Sequence, residues 1–250
     1  MNNKQQEIFF QIHQNLPREA PGDFASTKNA FSKLQDLPPH PQILDIGCGP
    51  GAQTLDLASL TNGTIIAIDN HPVYINELKQ KVIEKGLAEK ISIVQADMFH
   101  LDFPDTNFDI IWAEGSIYII GFENGLKQWK SLLKPQGYLV ASEITWLKPH
   151  PPQELQEFWD EGYPAMQDIA GNLKIIQNQG YKIIDYFVLP DLAWWNDYYQ
   201  PIEERLQIFK QDYQDDTEAL EIINMQQWEI NLYRQYSEYY GYVFYIMQNN

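Results

Sequence analysis

Apolar residues along this chain follow two rhythms. Between residues 42 and 145, short apolar runs alternate with stretches at helical spacing. The runs Gln42–Ile46, Thr64–Ile68, Ile91–Gln95, Phe108–Ala113 and Tyr138–Ile144 are rich in β-branched and aliphatic residues and are bounded by Gly, Pro or Asp, which predicts strands. Between them, Gln53–Leu60, Pro72–Lys85 and Glu123–Leu133 read as helices. The second has Pro at its start and Gly86 past its end; the third is stopped by Pro135-Gln136-Gly137. The composition of Phe108–Ala113 predicts burial on both faces. Strands alternating with helices imply a mostly parallel sheet covered on both sides.

The flanks follow the helical rhythm. Residues 1–16 read as an amphipathic helix with Ile8, Phe9, Ile12 and Leu16 on one side. A turn at Pro21-Gly22 follows, then a helix beginning at Ser26 or Thr27 and running to about Leu34, closed by Pro38, Pro39 and Pro41. Beyond Trp146, Pro149, Pro151 and Pro152 mark a loop. Residues 153–170 and 171–179 read as helices, Tyr181–Leu189 as a strand, residues 191–240 as helices, and Gly241–Met247 as a closing strand. The expected organisation is one domain over 1–250. It has a helical cap (1–40), a core (41–145) and a second half (146–250) with a helical insertion at about 190–240.

Composition narrows the partners. The 250 residues hold 34 Asp and Glu against 17 Lys and Arg, a formal charge of −17. Binding to nucleic acid depends on Lys and Arg neutralising phosphates, and an anionic membrane asks for the same. With no basic run to offset the acidity, the expectation is a small-molecule substrate, no nucleic acid and no membrane. The one cysteine, Cys48, cannot form an intramolecular disulfide, and the N-terminus has no apolar signal core. No stretch reaches the ~18 apolar residues of a membrane helix. A cytoplasmic location is expected. No His, Cys or carboxylate cluster has the spacing of a metal site, so no metal is expected.

The segment Ile43-Leu44-Asp45-Ile46-Gly47-Cys48-Gly49-Pro50-Gly51 joins the first strand of the core to its first helix. A glycine-rich strand-to-helix turn lets backbone approach a ligand, and the helix N-terminus favours the ligand's negative end. The spacing Asp-x-Gly-x-Gly-x-Gly departs from the nicotinamide pattern G-x-G-x-x-G, and no Walker Lys-Ser/Thr follows. Two more acids sit at strand ends: Asp69, followed by Asn70, after the second strand, and Asp97, followed by Met98, after the third. A carboxylate at the first can take both hydroxyls of a ribose. An acceptor at the second can take an exocyclic adenine N–H, with the next backbone N–H reaching a ring nitrogen. Each acid alone also reads as a cap or turn residue.

Taken in this order, the residues from about 40 to 145 resemble the class I S-adenosylmethionine-dependent methyltransferases, in their small-molecule branch with the ubiquinone/menaquinone C-methyltransferases. The turn Leu133-Lys134-Pro135-Gln136-Gly137-Tyr138 also matches, with Gln-Gly where Gly-Gly is commoner. The resemblance implies a Rossmann-like three-layer α/β sandwich. Its seven-stranded sheet is mostly parallel with an antiparallel last strand, flanked by N-terminal helices and a helical insertion before that strand. It implies S-adenosylmethionine as cofactor and S-adenosylhomocysteine as product. On this chain the cofactor-binding roles fall to Asp45, which orders the loop, and to Gly47, Gly49 and Gly51. Asp69 with Asn70 takes the ribose, and Asp97 with Met98 the adenine.

The acceptor side is less legible. Methyl transfer from a sulfonium is an in-line displacement, and alignment with exclusion of water are its main demands. The fourth strand ends in Trp112-Ala113-Glu114-Gly115-Ser116-Ile117-Tyr118 and lacks the Pro-Pro motif of amide and nucleic-acid N-methyltransferases. Glu114 reads as a contact to the cofactor amino group or as a solvated loop acid. Tyr118 reads as a pocket wall or as core. Glu143 and Trp146 line an acceptor site or serve structure. Trp194, Trp195, Tyr198 and Tyr199, with Trp159, Tyr163 and Trp228, form an aromatic lid, a packed helical layer or a homodimer surface. Lys28 pairs with the cofactor carboxylate or is solvated. His71 lies near the adenosine or caps a helix, and no residue is identified as a general base. A small-molecule methyltransferase is the leading expectation. A protein methyltransferase acting on a basic partner and a non-catalytic cofactor-binding protein are the alternatives.

Overall fold

The computed structural model describes residues 1–250. Seven strands form one sheet: β1 (Gln42–Ile46), β2 (Thr64–Asp69), β3 (Ile91–Gln95), β4 (Phe108–Ala113), β5 (Leu133–Trp146), β6 (Tyr181–Val188) and β7 (Tyr240–Asn249). Their order across the sheet is β3-β2-β1-β4-β5-β7-β6. Pairs β1·β2, β1·β4, β2·β3 and β4·β5 are parallel, and β7 runs antiparallel to both β5 and β6. The chain starts in the middle at β1, works outward to β3, then crosses back to β4. Strand order therefore reverses beside β1, and in open α/β sheets ligands bind outside the carboxyl ends of the strands at this switch point.

Alternating side chains divide the core between the two faces of the sheet. On one face Ile43, Ile65, Ile110, Trp112, Val140 and Phe244 pack in one cluster with the buried residues of α1 (Asn3–His13), α3 (Ala52–Leu60), α4 (Pro72–Glu84) and α10 (Thr217–Tyr236). On the other, Leu44, Ile46, Ile111, Leu139 and Tyr245 pack with α5 (Phe122–Trp129) and α7 (Ile169–Asn178). Every residue of β4 is buried, as its apolar run requires.

Helix boundaries follow local chemistry. Asn2 and Gln5 close a capping box on α1. Helix α2 (Phe24–Ser32) starts before the expected Ser26 because Asp23, in an extended conformation, accepts from the Ser26 N–H at 2.6 Å. The expected helix over 153–170 divides in two. Helix α6 (Gln153–Gly162) stops before Pro164, which lacks an N–H and drives Tyr163 out of the helical region (φ −150°, ψ 75°). Residues 163–168 instead cross the end of β5, where the Trp146 N–H donates to the Gln167 carbonyl, and Asp168 then caps α7. The helix expected over Glu123–Leu133 ends at Trp129 in a 3-10 turn, and β5 begins already at Leu133 through a left-handed bulge residue, Gln136 (φ 62°).

Between β6 and β7 lies the expected helical insertion: α8 (Asp191–Trp194), a π-helical turn (Trp195–Tyr199), α9 (Gln200–Asp212) and α10. Pro201 near the start of α9 has no N–H to continue the i→i−4 ladder, which gives a local reason for the wider turn just before it. The insertion is tied to the N-terminal segment. The Gly22 N–H donates to the Ala193 carbonyl at 3.0 Å, and α1 packs against α9 and α10.

Candidate active site

The glycine loop leaves the carboxyl end of β1 and is fixed from below. Asp45 is fully buried under it. One carboxylate oxygen accepts from Thr54 Oγ1 at 2.5 Å and the other from Gln53 Nε2 at 3.4 Å, while Gln53 also reaches the Gly47 and Cys48 carbonyls. Burial pushes the Asp45 carboxyl up to about 7 despite these donors. Asp45 therefore shapes the loop and does not line a cavity. Gly51 also points away from the cavities. It begins α3 at φ +91°, and a Cβ there would lie 2.1 Å from Leu78 Cδ1. Gly49 differs: at φ +51°, its nearest neighbour for a Cβ is the Glu19 side chain at 3.7 Å, so the missing Cβ leaves open space.

That space is a cavity of about 320 Å³ at the switch point, at the lower end of the roughly 300–1,000 Å³ seen for ligand sites. Gly47, Cys48 and Gly49 line it, as do Ala52 and Gln53 from the first turn of α3. The first N–H groups of a helix lack intrahelical partners and suit a carboxylate. Asp69, Asn70, Asp97 and Met98 line the same cavity. The Asp69 oxygens are oriented by backbone, one accepting from the Gly49 N–H at 2.9 Å and the other from the His71 N–H at 2.8 Å. Each still has acceptor capacity for a hydroxyl. Asp97 stands half exposed at the rim and accepts from the Phe99 N–H at 3.0 Å, which holds its carboxyl below the usual range. His71 sits between the rings of Phe10 and Tyr74, with centroids 4.2 and 4.6 Å away, and also lines the cavity.

A second cavity, of about 260 Å³, adjoins the first. Phe9, Glu19, Ala20, Pro21, Gly115, Tyr118 and Tyr198 line both. Trp159, Tyr163, Trp194 and Tyr242 add further rings to the second, and Glu229 adds a carboxylate. Of the residues expected on the acceptor side, the structure brings Tyr118, Trp159, Tyr163, Trp194 and Tyr198 to this cavity. It does not bring Trp146, which packs partly buried against the core at the end of β5, nor the exposed Trp228.

One expected polar role falls elsewhere. Lys28 lies on the exposed side of α2 and lines neither cavity. The cation at the site is Arg18, which bridges Glu114 at 3.0 Å and Asp56 at 2.5 Å while 7% exposed. Glu114 lines the first cavity, and its other oxygen accepts from Thr27 Oγ1 at 3.0 Å and Trp112 Nε1 at 3.1 Å. Burial raises the Glu114 carboxyl, against the pull of Arg18. Glu114 thus pins the N-terminal segment over the cavity. Glu143 is buried behind the wall, its Oε2 has no hydrogen-bond partner, and burial pushes it up to about 8.

Residues 43–137 match the family model described as a methyltransferase domain. Over this stretch the chain is similar to methyltransferase domains. Over 167 residues it is 26% identical to a sterol 24-C-methyltransferase of Aspergillus fumigatus, covering 62% of this chain and 44% of that one. Over 155 residues it is 28% identical to the ubiquinone/menaquinone biosynthesis C-methyltransferase of Ectopseudomonas mendocina, covering 61% and 59%. The chain thus spans under half the length of the sterol methyltransferase it matches. A solved S-adenosylmethionine-dependent methyltransferase from Geobacter sulfurreducens, in complex with S-adenosylhomocysteine, shares the fold. Its TM-score is 0.80 at 18% identity, with 98% of each chain covered. In this fold Gly47, Gly49, Asp69 and Asp97 line one cavity at the switch point.

Sequence reasoning missed Phe10, Arg18, Glu19 and Glu229 as site residues. Arg18 is one of only three arginines in an acidic chain and is followed at once by Glu19, a signal that was available. Nothing local in the sequence marks Glu229, which lies on a long amphipathic helix.

Proposed function

We propose that this chain transfers a methyl group from S-adenosylmethionine to a small molecule held in the second cavity. The observation that carries the proposal is the pair of adjoining cavities. One is built by the glycine loop, Asp69 and Asp97; the other is walled by rings. The residues fit the cofactor, because the open side of Gly49 and the oriented Asp69 carboxylate are what a nucleoside with an amino-acid tail requires.

When bound, S-adenosylmethionine supplies an electrophilic methyl group on a sulfonium. Asp69 would accept from the ribose hydroxyls, both of its oxygens being already oriented by the Gly49 and His71 amides. Asn70 lines the same cavity, and Asp97 and the Met98 backbone, which line it too, would hold the adenine. Gly47 and Gly49 let the loop backbone approach the amino-acid portion, and Asp45 and Gly51 hold the loop in shape from outside the cavity. Tyr118, Trp194 and Tyr198 line the acceptor cavity, with Tyr118 and Tyr198 shared between the two sites. The segment carrying Arg18 to Pro21 lies across both cavities and excludes water, which methyl transfer by displacement favours.

The names of the relatives refer to sterol and to ubiquinone/menaquinone methylation, which supports a small-molecule acceptor. A cytoplasmic setting belongs to the proposal and rests on the single buried cysteine. The charge of −17 favours one second reading, methylation of a basic protein. Incubating the chain with methyl-labelled S-adenosylmethionine and a cell extract separates the two. Label in low-mass metabolites supports the proposal, and label confined to protein overturns it.

A further inference from the structure

The second cavity has an unusual balance of chemistry. Its charged lining residues are two carboxylates, Glu19 and Glu229, and no Lys, Arg or His lines it. Of the nearby basic groups, Arg18 is committed elsewhere and His13 already meets one oxygen of Glu19. Arg18 is held by Glu114 and Asp56, and His13 sits between Glu19 Oε2 and Gln226 Oε1 at 3.0 Å each. Glu19 Oε1 is buried without a partner, and Glu229 accepts only the Tyr199 hydroxyl, at 3.0 Å. Around these acids stand rings: Tyr118 and Tyr163 meet edge to face at 6.1 Å, with Trp159, Trp194, Tyr198 and Tyr242 beside them. Trp194 is 2% exposed, and its indole N–H, like that of Trp159, has no partner.

Three classes of acceptor would fare differently here. An anion meets two carboxylates. A neutral apolar molecule leaves Glu229 without a cation and Glu19 Oε1 without a partner, which is costly. A cation pairs with the acids and lies against ring faces, an arrangement worth about 2 kcal/mol or more when desolvated. Both indoles line the cavity, and their N–H groups have no partner within the chain.

We propose that the acceptor is an organic amine bearing an oxygen function, taken up as its ammonium ion; this rests on the function proposed above. In the reaction a tertiary ammonium gives its proton to the Glu229 carboxylate. Burial already raises that carboxyl, which suits it to hold the proton. The freed nitrogen lone pair attacks the methyl carbon. The N–C bond forms as the C–S bond breaks, and the bonding pair leaves with sulfur. The products are a quaternary ammonium and a neutral thioether, so the positive charge passes into the ring-lined cavity.

The test is calorimetry on the full chain saturated with S-adenosylhomocysteine, titrated with choline and with 3,3-dimethylbutan-1-ol. These probes share shape and hydroxyl and differ in charge. Choline is expected to bind at least about tenfold tighter, and Glu229→Gln to erase that preference while S-adenosylhomocysteine binding stays unchanged. Equal binding of the two probes, or no binding of either to the loaded wild-type chain, overturns the amine assignment whether or not the variant folds. Failure of S-adenosylhomocysteine itself to bind overturns the underlying function together with it.

Discussion

Replacing Gly51 and Gly49 separately by alanine should divide the loop's two tasks. Both residues have positive φ, +91° and +51°, so either alanine carries a left-handed penalty of about 1–2 kcal/mol. At Gly51 the new Cβ also lies 2.1 Å from Leu78 Cδ1, in a helix face that is fully buried. Overpacking of this kind adds about 1–3 kcal/mol, so Gly51→Ala should cost about 3 kcal/mol or more. For a chain of this size that lowers Tm by about 6–12 °C, measured by calorimetric melting without ligand. Gly49→Ala has open space around its Cβ and should melt only about 2–8 °C lower. Its methyl enters the cofactor cavity, however, so S-adenosylhomocysteine affinity should fall about tenfold or more. Gly51→Ala, once folded, should bind nearly as wild type. A Leu78→Ala partner should relieve the Gly51→Ala clash, the double variant being about 1–3 kcal/mol more stable than the two losses added. Gly49→Ala proving the less stable variant, or Gly51→Ala melting as wild type, would refute this division.

Other consequences follow from the buried charges. Arg18→Met leaves Glu114 and Asp56 without their cation and should destabilise by about 3–5 kcal/mol. Adding Glu114→Gln should recover part of the loss in a double-mutant cycle on thermal melting. Glu143 is held at about 8 by burial, above its unfolded value near 4.5. The folded state therefore binds the extra proton, and this residue's cost grows as pH rises from about 4.5 to about 8 and is constant above that. Glu143→Gln should raise Tm at pH 8 by an amount on the order of 4 kcal/mol of stability, and by little near pH 5. Melting curves at the two pH values check the sign, and equal shifts at both would count against it.

What was legible in the sequence depended on range. The strands β1 and β4 coincide with their apolar runs, because a strand buried on both faces needs no partner information to be recognised. The loop was legible for a similar reason: Asp45, Gln53 and Thr54 lie within nine residues and make one another's hydrogen bonds. The N-terminal layer of the site was not. Arg18 meets Glu114 across 96 positions, and His13 meets Gln226 across 213, and no local pattern encodes such pairings. Residues 163–168 were taken for helix on composition, where Pro164 overrides propensity. Trp146 was placed near the acceptor because it ends a core strand, yet it packs against the core and the Tyr163–Asp168 crossing covers the end of β5.

The central claim is that the loop, Asp69 and Asp97 form an S-adenosylmethionine site, and calorimetric titration with S-adenosylhomocysteine tests it most directly. The wild-type chain should bind one equivalent with micromolar or tighter affinity. Asp69→Ala removes a charged acceptor for two hydroxyls, each such bond being worth about 1.5–3 kcal/mol. It should weaken binding by about a hundredfold or more. No binding by the wild-type chain, or undiminished binding by Asp69→Ala, would contradict the account.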